Sequence, residues 1–346
     1  MPNIDPKKLK AVRKYNHDGT FYSMDFDANT RRVYAGSDDY GVYVFDLGSK
    51  DSKPIARWNR HDNYVWGITL VKKPKTTVVS AGFDRRLIWW DPQTGEPVRI
   101  IEQAHQGWIR DVISTSDGSR LITVGDDMLV KVWDVASGKL VHSLDGHEKQ
   151  TPQGFVTALY SVAVSPDGKY IASGDRIGAV RIWDILSGKL LQKFDVPVLY
   201  TYDPRQRKRS IGGIRALVFS PDGNYLAVGG VGQIGNVDGL GGPATIEYWD
   251  WRKPAKLFAS GAQGQSGMIN HLAFHPDGTW LVGGGTSFIC LWKMDKLPGE
   301  SDKKKKDPVP AYKVKANGTI HDFAISDKGD ELYAAGYRML EVWRLV

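Results

Sequence analysis

Cysteine is nearly missing from this chain: Cys290 is the single copy in 346 residues, so no disulfide can form within it. Its place in a strand-like run reads as a packed thiol. There is no run of 18 apolar residues, which excludes a membrane-spanning helix, and the polar N-terminus lacks the apolar core of a signal peptide. The expected address is cytoplasmic, with no membrane association. Motifs for phosphate and metal chemistry are missing too. The glycine-rich stretch 229–242 contains no Gly-Lys-Ser/Thr, and nothing after it reads as a helix that would receive phosphate, so it reads as a loop between strands. The eight histidines are scattered without metal-site spacing, so neither metal nor cofactor is expected.

Charge of one sign is in excess, but only locally. Lys and Arg number 46 against 39 Asp and Glu, a net charge of +7. Arg205, Arg207, Lys208 and Arg209 form one cluster and Lys303 to Lys306 another; without these eight the chain is close to neutral. Basicity confined to two loops does not make a groove-tracking face. The lysine run, flanked by Glu300, Asp302 and Asp307, reads as a solvated loop.

What the chain has in abundance is a repeat. Val-Tyr-Val-Phe-Asp at 42–46, Leu-Ile-Trp-Trp-Asp at 87–91, Val-Lys-Val-Trp-Asp at 130–134 and Val-Arg-Ile-Trp-Asp at 180–184 begin the series. Ile-Glu-Tyr-Trp-Asp at 246–250, Ile-Cys-Leu-Trp-Lys at 289–293 and Leu-Glu-Val-Trp-Arg at 340–344 continue it. The aromatic ends fall at 45, 90, 133, 183, 249, 292 and 343; three intervals are 43 to 45 residues and the longer ones look like insertions. Alternating β-branched and polar residues give each run the period of a half-buried strand. A four-stranded unit cannot bury both its faces alone and must stack on neighbours.

Other elements recur in order. A His opens the unit at His17, His61, His105 and His147, and Ser-Pro-Asp-Gly turns stand at 165–168 and 220–223. Variants are His275-Pro276-Asp277-Gly278, Ser116-Asp117-Gly118 and Ser326-Asp327-Lys328-Gly329. In these features essentially the whole chain resembles the WD-repeat β-propeller family. The resemblance implies one all-β domain over 1–346: a seven-bladed propeller of four-stranded antiparallel blades. Leu9–His17 reads like Lys139–His147, the outer strand and entry of another unit, so the N-terminal strand is expected to complete the last blade.

The resemblance also implies a buried polar chain within each blade. His61, Ser80, Asp84 and Trp90 fit it in the second unit, and His105, Thr123, Asp127 and Trp133 in the third. A carboxylate orients an imidazole, which reaches a hydroxyl and an indole N–H. Repetition with a Trp at the end favours a structural network over a catalytic triad, so no catalytic residue is expected. The first unit has Ala35 and Phe45 at the hydroxyl and indole positions, and the fourth has Ile177 where the Asp belongs.

Aligning the first strand of each unit places Tyr22, Trp66, Arg110, Tyr160, Arg215, Asn270 and His321 at equivalent sites. Family geometry puts them around the top mouth of a central channel, with Trp108 adding to the patch. Aromatics and arginines are the composition of an interaction hot spot. Expansions at 148–155, 196–212 and 231–243 are expected on the same face, and 295–308 on the opposite one. The leading expectation is a non-catalytic scaffold, monomeric by itself, that binds a protein or peptide on the top face. A second is nucleic-acid association through Arg205–Arg209 with Tyr200 and Tyr202 nearby. The third and weakest is a propeller enzyme or small-ligand site in the channel, with His321 and Asp322 the most tempting pair.

Overall fold

The computed structural model describes residues 5–204, 209–235, 242–294 and 309–345. The architecture is all-β, built of antiparallel four-stranded blades of the β-propeller type. The chain forms two compact units, one of Met1–Asp145 with Gly318–Val346 and the other of Gly146–Asn317.

In the first unit one blade pairs Val65–Val71, Thr77–Gly82, Leu87–Trp90 and Pro97–Ile101 in sequence order. The next pairs Ile109–Ser114, Arg120–Gly125, Leu129–Asp134 and Leu140–Asp145. The remaining sheet has six strands, in the order Ile320–Ile325, Glu331–Arg344, Lys10–Asp27, Arg32–Ser37, Gly41–Asp46 and Ala56–Asn59. In the second unit three blades start from Leu159–Val164, Ile214–Phe219 and Ile269–Phe274, and a ribbon pairs Tyr200–Asp203 with Arg209–Gly212.

Six sheets of four or more strands therefore stand where the repeat predicts seven separate blades. The reason lies in Lys10–Asp27, one unbroken strand of 18 residues. Its first part pairs with Glu331–Arg344, from Lys10 opposite Arg344 to Asn16 opposite Met339. Its second part pairs with Arg32–Ser37, from Phe21 opposite Ser37 to Asp27 opposite Arg32. Backbone continuity thus merges the last repeat unit and the first into one sheet.

The Pro-Asp-Gly turns close as their chemistry requires. Ser165 N–H bonds to Tyr170 O at 2.9 Å, Gly168 N–H to Ser165 O at 2.8 Å, and Ser165 Oγ donates to Asp167 at 2.6 Å. Gly168 takes a φ of 71°, a conformation that favours glycine. The third strands are buried more completely than the half-buried expectation. Val130, Lys131, Val132 and Trp133 are all buried, and Trp133 shares one core with Val79, Leu87 and Trp89 of the preceding blade. Lys131 is tolerated there because its ammonium donates to Ala104 O at 2.7 Å. Outer strands such as Leu140–Asp145 keep exposed positions.

Inner strands of the first unit are stitched by side chains. Asp322 Oδ2 accepts from Met24 N–H at 2.8 Å and Ser23 Oγ at 2.9 Å; Ser23 Oγ in turn accepts from Ile68 N–H at 3.0 Å. Asp25 Oδ2 accepts from Leu70 N–H at 2.8 Å. Burial pushes the Asp25 carboxyl up to about 6, against the pull of Lys72 and two backbone N–H groups. A carboxyl whose folded pKa is raised stabilises the fold fully below its unfolded value, and that contribution is lost as pH rises towards 6. Asp25→Asn removes the charge but leaves one oxygen for two backbone N–H groups, Leu70 at 2.8 Å and Phe26 at 2.7 Å. The relief of the buried charge is offset by an unmade bond, so stability at pH 7 is expected to change by less than about 2 kcal/mol. The substitution is also expected to flatten the stability profile between about pH 4 and 6; urea unfolding across that range measures both.

Candidate functional site

The seven positions aligned from the sequence share one backbone device. In the first unit strand pairing skips Tyr22 between Phe21 and Ser23, Trp66 between Val65 and Gly67, Arg110 between Ile109 and Asp111, and His321 between Ile320 and Asp322. In the second unit it skips Tyr160, Arg215 and Asn270 in the same way. Each is the extra residue of a β-bulge, which re-aims a side chain out of the ladder.

In the first unit these bulges assemble a row of stacked rings. His321 meets Tyr22 edge-on at 5.3 Å, and Tyr22 stacks on Trp66 at 4.0 Å. Trp66 stacks on Phe83 at 4.6 Å, and Phe83 on Trp108 at 4.3 Å with planes 8° apart. Tyr64 leans on Tyr22 at 5.8 Å and on Tyr40 at 6.0 Å. The Arg110 guanidinium lies over Trp66, Phe83 and Trp108 at 5.6, 4.7 and 4.9 Å. Two bonds to Asp126, at 2.7 and 3.1 Å, hold it there. Tyr40 is 44% exposed, Tyr64 36% and Trp108 44%, large rings that water-facing positions do not ordinarily carry together.

The row's electrostatics are mild. Burial pushes the His321 imidazole down to about 4, against the pull of Asp322 and Asp38, so it is neutral at pH 7. Burial, then the Asp38 and Tyr64 charges, raises the Tyr22 phenol. Beside Trp108 opens a cleft of about 620 Å³ lined by Asp62, Phe83, Arg85, Arg86 and Glu102, among others. Arg86 spans it, paired to Asp62 and Glu102 at 2.6 Å each.

In the second unit the Arg215 guanidinium sits 3.9 Å from the Tyr160 ring centroid, and Asn270 is partly buried on its inner strand. The three expansions touch one another. Tyr200 Oη donates to Gln153 at 2.6 Å, Gln233 Nε2 to Tyr200 O at 3.0 Å, and Ile234 N–H to Thr201 Oγ1 at 3.0 Å. Arg205, Arg207 and Lys208 lie outside the described residues, as do 236–241 and 295–308; Arg209 is described as strand backbone only.

The polar networks take closed form. His61 Nδ1 lies 2.8 Å from Asp84 and Nε2 2.7 Å from Ser80 Oγ, which accepts from Trp90 Nε1 at 2.8 Å. His105 repeats this with Asp127 at 2.9 Å, Thr123 at 2.7 Å and Trp133, whose Nε1 donates to Thr123 at 2.9 Å. Ser80 and Thr123 are fully buried, so neither hydroxyl faces a substrate. Burial holds the His105 and His147 imidazoles below their ordinary range.

Two sequence readings of these networks are corrected. The fourth unit does not lack its carboxylate at Ile177: Asp175 supplies it, 2.8 Å from His147 Nδ1, while Nε2 meets Ser173 at 2.8 Å. Asp175 occupies the position held by Gly82 and Gly125 elsewhere. A Cβ on Gly82 would come within 2.9 Å of His61 Nδ1, which is why a side chain from that position reaches the imidazole directly. In the first unit Ser37, not residue 35, brings the hydroxyl, 2.8 Å from His17 Nε2. Later indoles find other partners: Trp249 and Trp343 donate to Glu247 and Glu341 at 3.1 Å, and Trp292 to Ser260 at 2.9 Å.

Sequence reasoning missed Phe83, Tyr64, Tyr40, Asp38 and Asp126. Their signal was available: Asp38, Phe83 and Asp126 each directly precede the turn Asp of their unit, at 39, 84 and 127. Among the described residues there is no group of three His, Cys, Asp or Glu that would hold a metal, and no helix long and apolar enough to cross a membrane.

Comparison with known proteins agrees with this build. A nuclear distribution protein nudF from Aspergillus niger is 27% identical over 237 residues, 64% of this chain and 47% of the relative. Protein hir1 of Schizosaccharomyces pombe is 29% identical over 184 residues, 49% of this chain and 19% of the relative. The serine-threonine kinase receptor-associated protein of Gallus gallus is 26% identical over 324 residues, 90% of this chain and 78% of the relative. The chain thus spans less than half the length of the nudF and hir1 proteins it matches. The sequence pattern described as WD domain, G-beta repeat matches residues 9–46, 95–134, 138–184, 206–234 and 256–293, five segments that cover more than half of the chain. With its four-stranded blades, His-Ser/Thr-Trp networks and Pro-Asp-Gly turns, the chain belongs to the WD-repeat family.

Proposed function

We propose that this protein is a non-catalytic interaction scaffold whose first unit holds a protein or peptide partner on the face carrying Tyr22, Tyr64, Trp66, Trp108 and Arg110. The observation that carries the reading is the row of stacked and partly exposed rings set out by successive β-bulges. Aromatic anchors pre-arranged at this density suit a binding hot spot, because little side-chain entropy remains to be lost on binding. Membership in a family that includes a receptor-associated protein supports the same reading. Arg215 over Tyr160 offers a separate, smaller anchor on the second unit.

The sequence expectations of one domain over 1–346, seven blades, a clasp formed by the N-terminal strand, a monomeric state and a cytoplasmic address are part of this proposal. Counting the six-stranded sheet as two repeat units gives seven, supported by the separate registers of Lys10–Asn16 and Phe21–Asp27. Trp66→Ala/Trp108→Ala tests the binding face with limited risk to the fold, since both rings are partly exposed. Affinity for a partner isolated with the wild-type protein is expected to fall at least about 100-fold, while the melting temperature stays within a few degrees. Full affinity in a folded double variant would move the binding surface elsewhere.

A further inference from the structure

The aromatic row of the first unit has two ends of different composition. At one end Trp66, Phe83 and Trp108 carry the Arg110 guanidinium, and Asp126 clamps that guanidinium with two hydrogen bonds. At the other end Tyr22, Tyr40 and Tyr64 cluster, and among the described residues no cation lies over any of their rings.

The internal repeat makes the two ends comparable. Tyr22 stands at the bulge position that Arg110 holds two units later. Asp38 stands where Asp126 does, one residue before the turn Asp. The first repeat therefore keeps the carboxylate of the Arg110 arrangement and replaces its arginine by tyrosine, with the Tyr64 and Tyr40 rings close by.

Asp38 is fixed and unneutralised. Its N–H bonds to Thr20 O at 3.1 Å, Ser37 Oγ donates to its carboxylate at 3.3 Å, and no ion pair engages it among the described residues. Asp18, exposed within the strand Lys10–Asp27, adds a second negative charge. The nearby arginine, Arg57, is taken by Asp39 at 3.3 Å. His17 and His321 are held neutral by burial and bring no compensating charge at pH 7.

We propose that the Tyr22–Tyr40–Tyr64 end receives an arginine side chain of the partner segment, its guanidinium against the tyrosine rings and hydrogen-bonded to the Asp38 carboxylate. Arginine rather than lysine follows from the geometry that Arg110 already adopts: a planar fork stacks on rings and meets a carboxylate through two N–H groups at once. The inference rests on the interaction reading above and gives the partner its charge.

The test uses a random dodecamer peptide display library selected against the full chain, with Trp66→Ala/Trp108→Ala as counter-selection. Binders are remade with each arginine replaced by citrulline, which keeps the shape and removes the charge, or by lysine. The expected result is one arginine shared by the binders whose replacement by citrulline weakens binding about tenfold or more, with lysine in between. Asp38→Asn should cost the arginine peptide about tenfold and leave the citrulline peptide unchanged, a coupling that general loosening of the fold does not produce. Binders that need Trp66 and Trp108 but tolerate citrulline everywhere would overturn the arginine site and leave the scaffold reading standing. A selection that yields no binder would overturn both.

Discussion

Deleting residues 1–16 is expected to remove cooperative folding of the first unit rather than trim a tail. Lys10–Asn16 supplies the strand opposite Met339–Arg344, so its loss strips the ladder bonds from one side of that segment and bares a sheet edge. The deletion also withdraws Tyr15, fully buried among Phe21, Phe45, Leu340 and Val342. Arg13 goes with it; its guanidinium lies 4.5 Å from the Tyr15 ring centroid and donates to the carbonyls of Ser49 and Asp51 at 2.5 Å. Tyr15→Ala alone is expected to cost about 3–5 kcal/mol, the usual range for emptying a large aromatic site. Tyr15→Phe separates packing from polarity. Among the described residues the buried Tyr15 hydroxyl has no hydrogen-bond partner, so removing it should be neutral or slightly stabilising. Denaturant unfolding by tryptophan fluorescence measures all three variants. A truncated protein with an unchanged midpoint and slope would show that the strand is not structural.

Asp175→Ala should be the most damaging single change in the second unit's polar networks, at about 3–5 kcal/mol. Its carboxylate is fully buried and accepts from His147 Nδ1 at 2.8 Å, Ile177 N–H at 3.0 Å and Ala179 N–H at 2.8 Å. Alanine leaves three donors without partners in a site closed to water, and each unmade bond is costly. His147 would also lose the contact that fixes its tautomer, on which the Ser173 hydroxyl and the Trp183 indole bond at 3.0 Å depend. Ile177→Asp restores the sequence pattern of the second and third units, yet added to Asp175→Ala it should recover only part of the loss. The two backbone N–H groups and the imidazole are already arranged around residue 175. Thermal unfolding of the single and double variants checks this; full rescue by Ile177→Asp would place the carboxylate's role in the turn, as in the other units.

Much of this protein is legible in its sequence because a repeat reports the same physics several times. Trp-ended strands, Pro-Asp-Gly turns and the His, Ser/Thr and Trp of the second and third networks depend on contacts inside one unit, at spacings an alignment displays. The seven bulge positions were equally readable, since strand patterning around them recurs. What tertiary structure alone decided depends on contacts between units or on space that no local pattern records. The N-terminal and C-terminal repeats share one sheet because a single 18-residue strand runs through both. Asp175 replaces the expected turn carboxylate because a Cβ at the glycine position already points at the imidazole. Phe83 completes the row of rings because it inserts between Trp66 of its own unit and Trp108 of the next. Local chemistry sets the parts of a repeat, whereas the stacking of one repeat on another decides which of those parts meet.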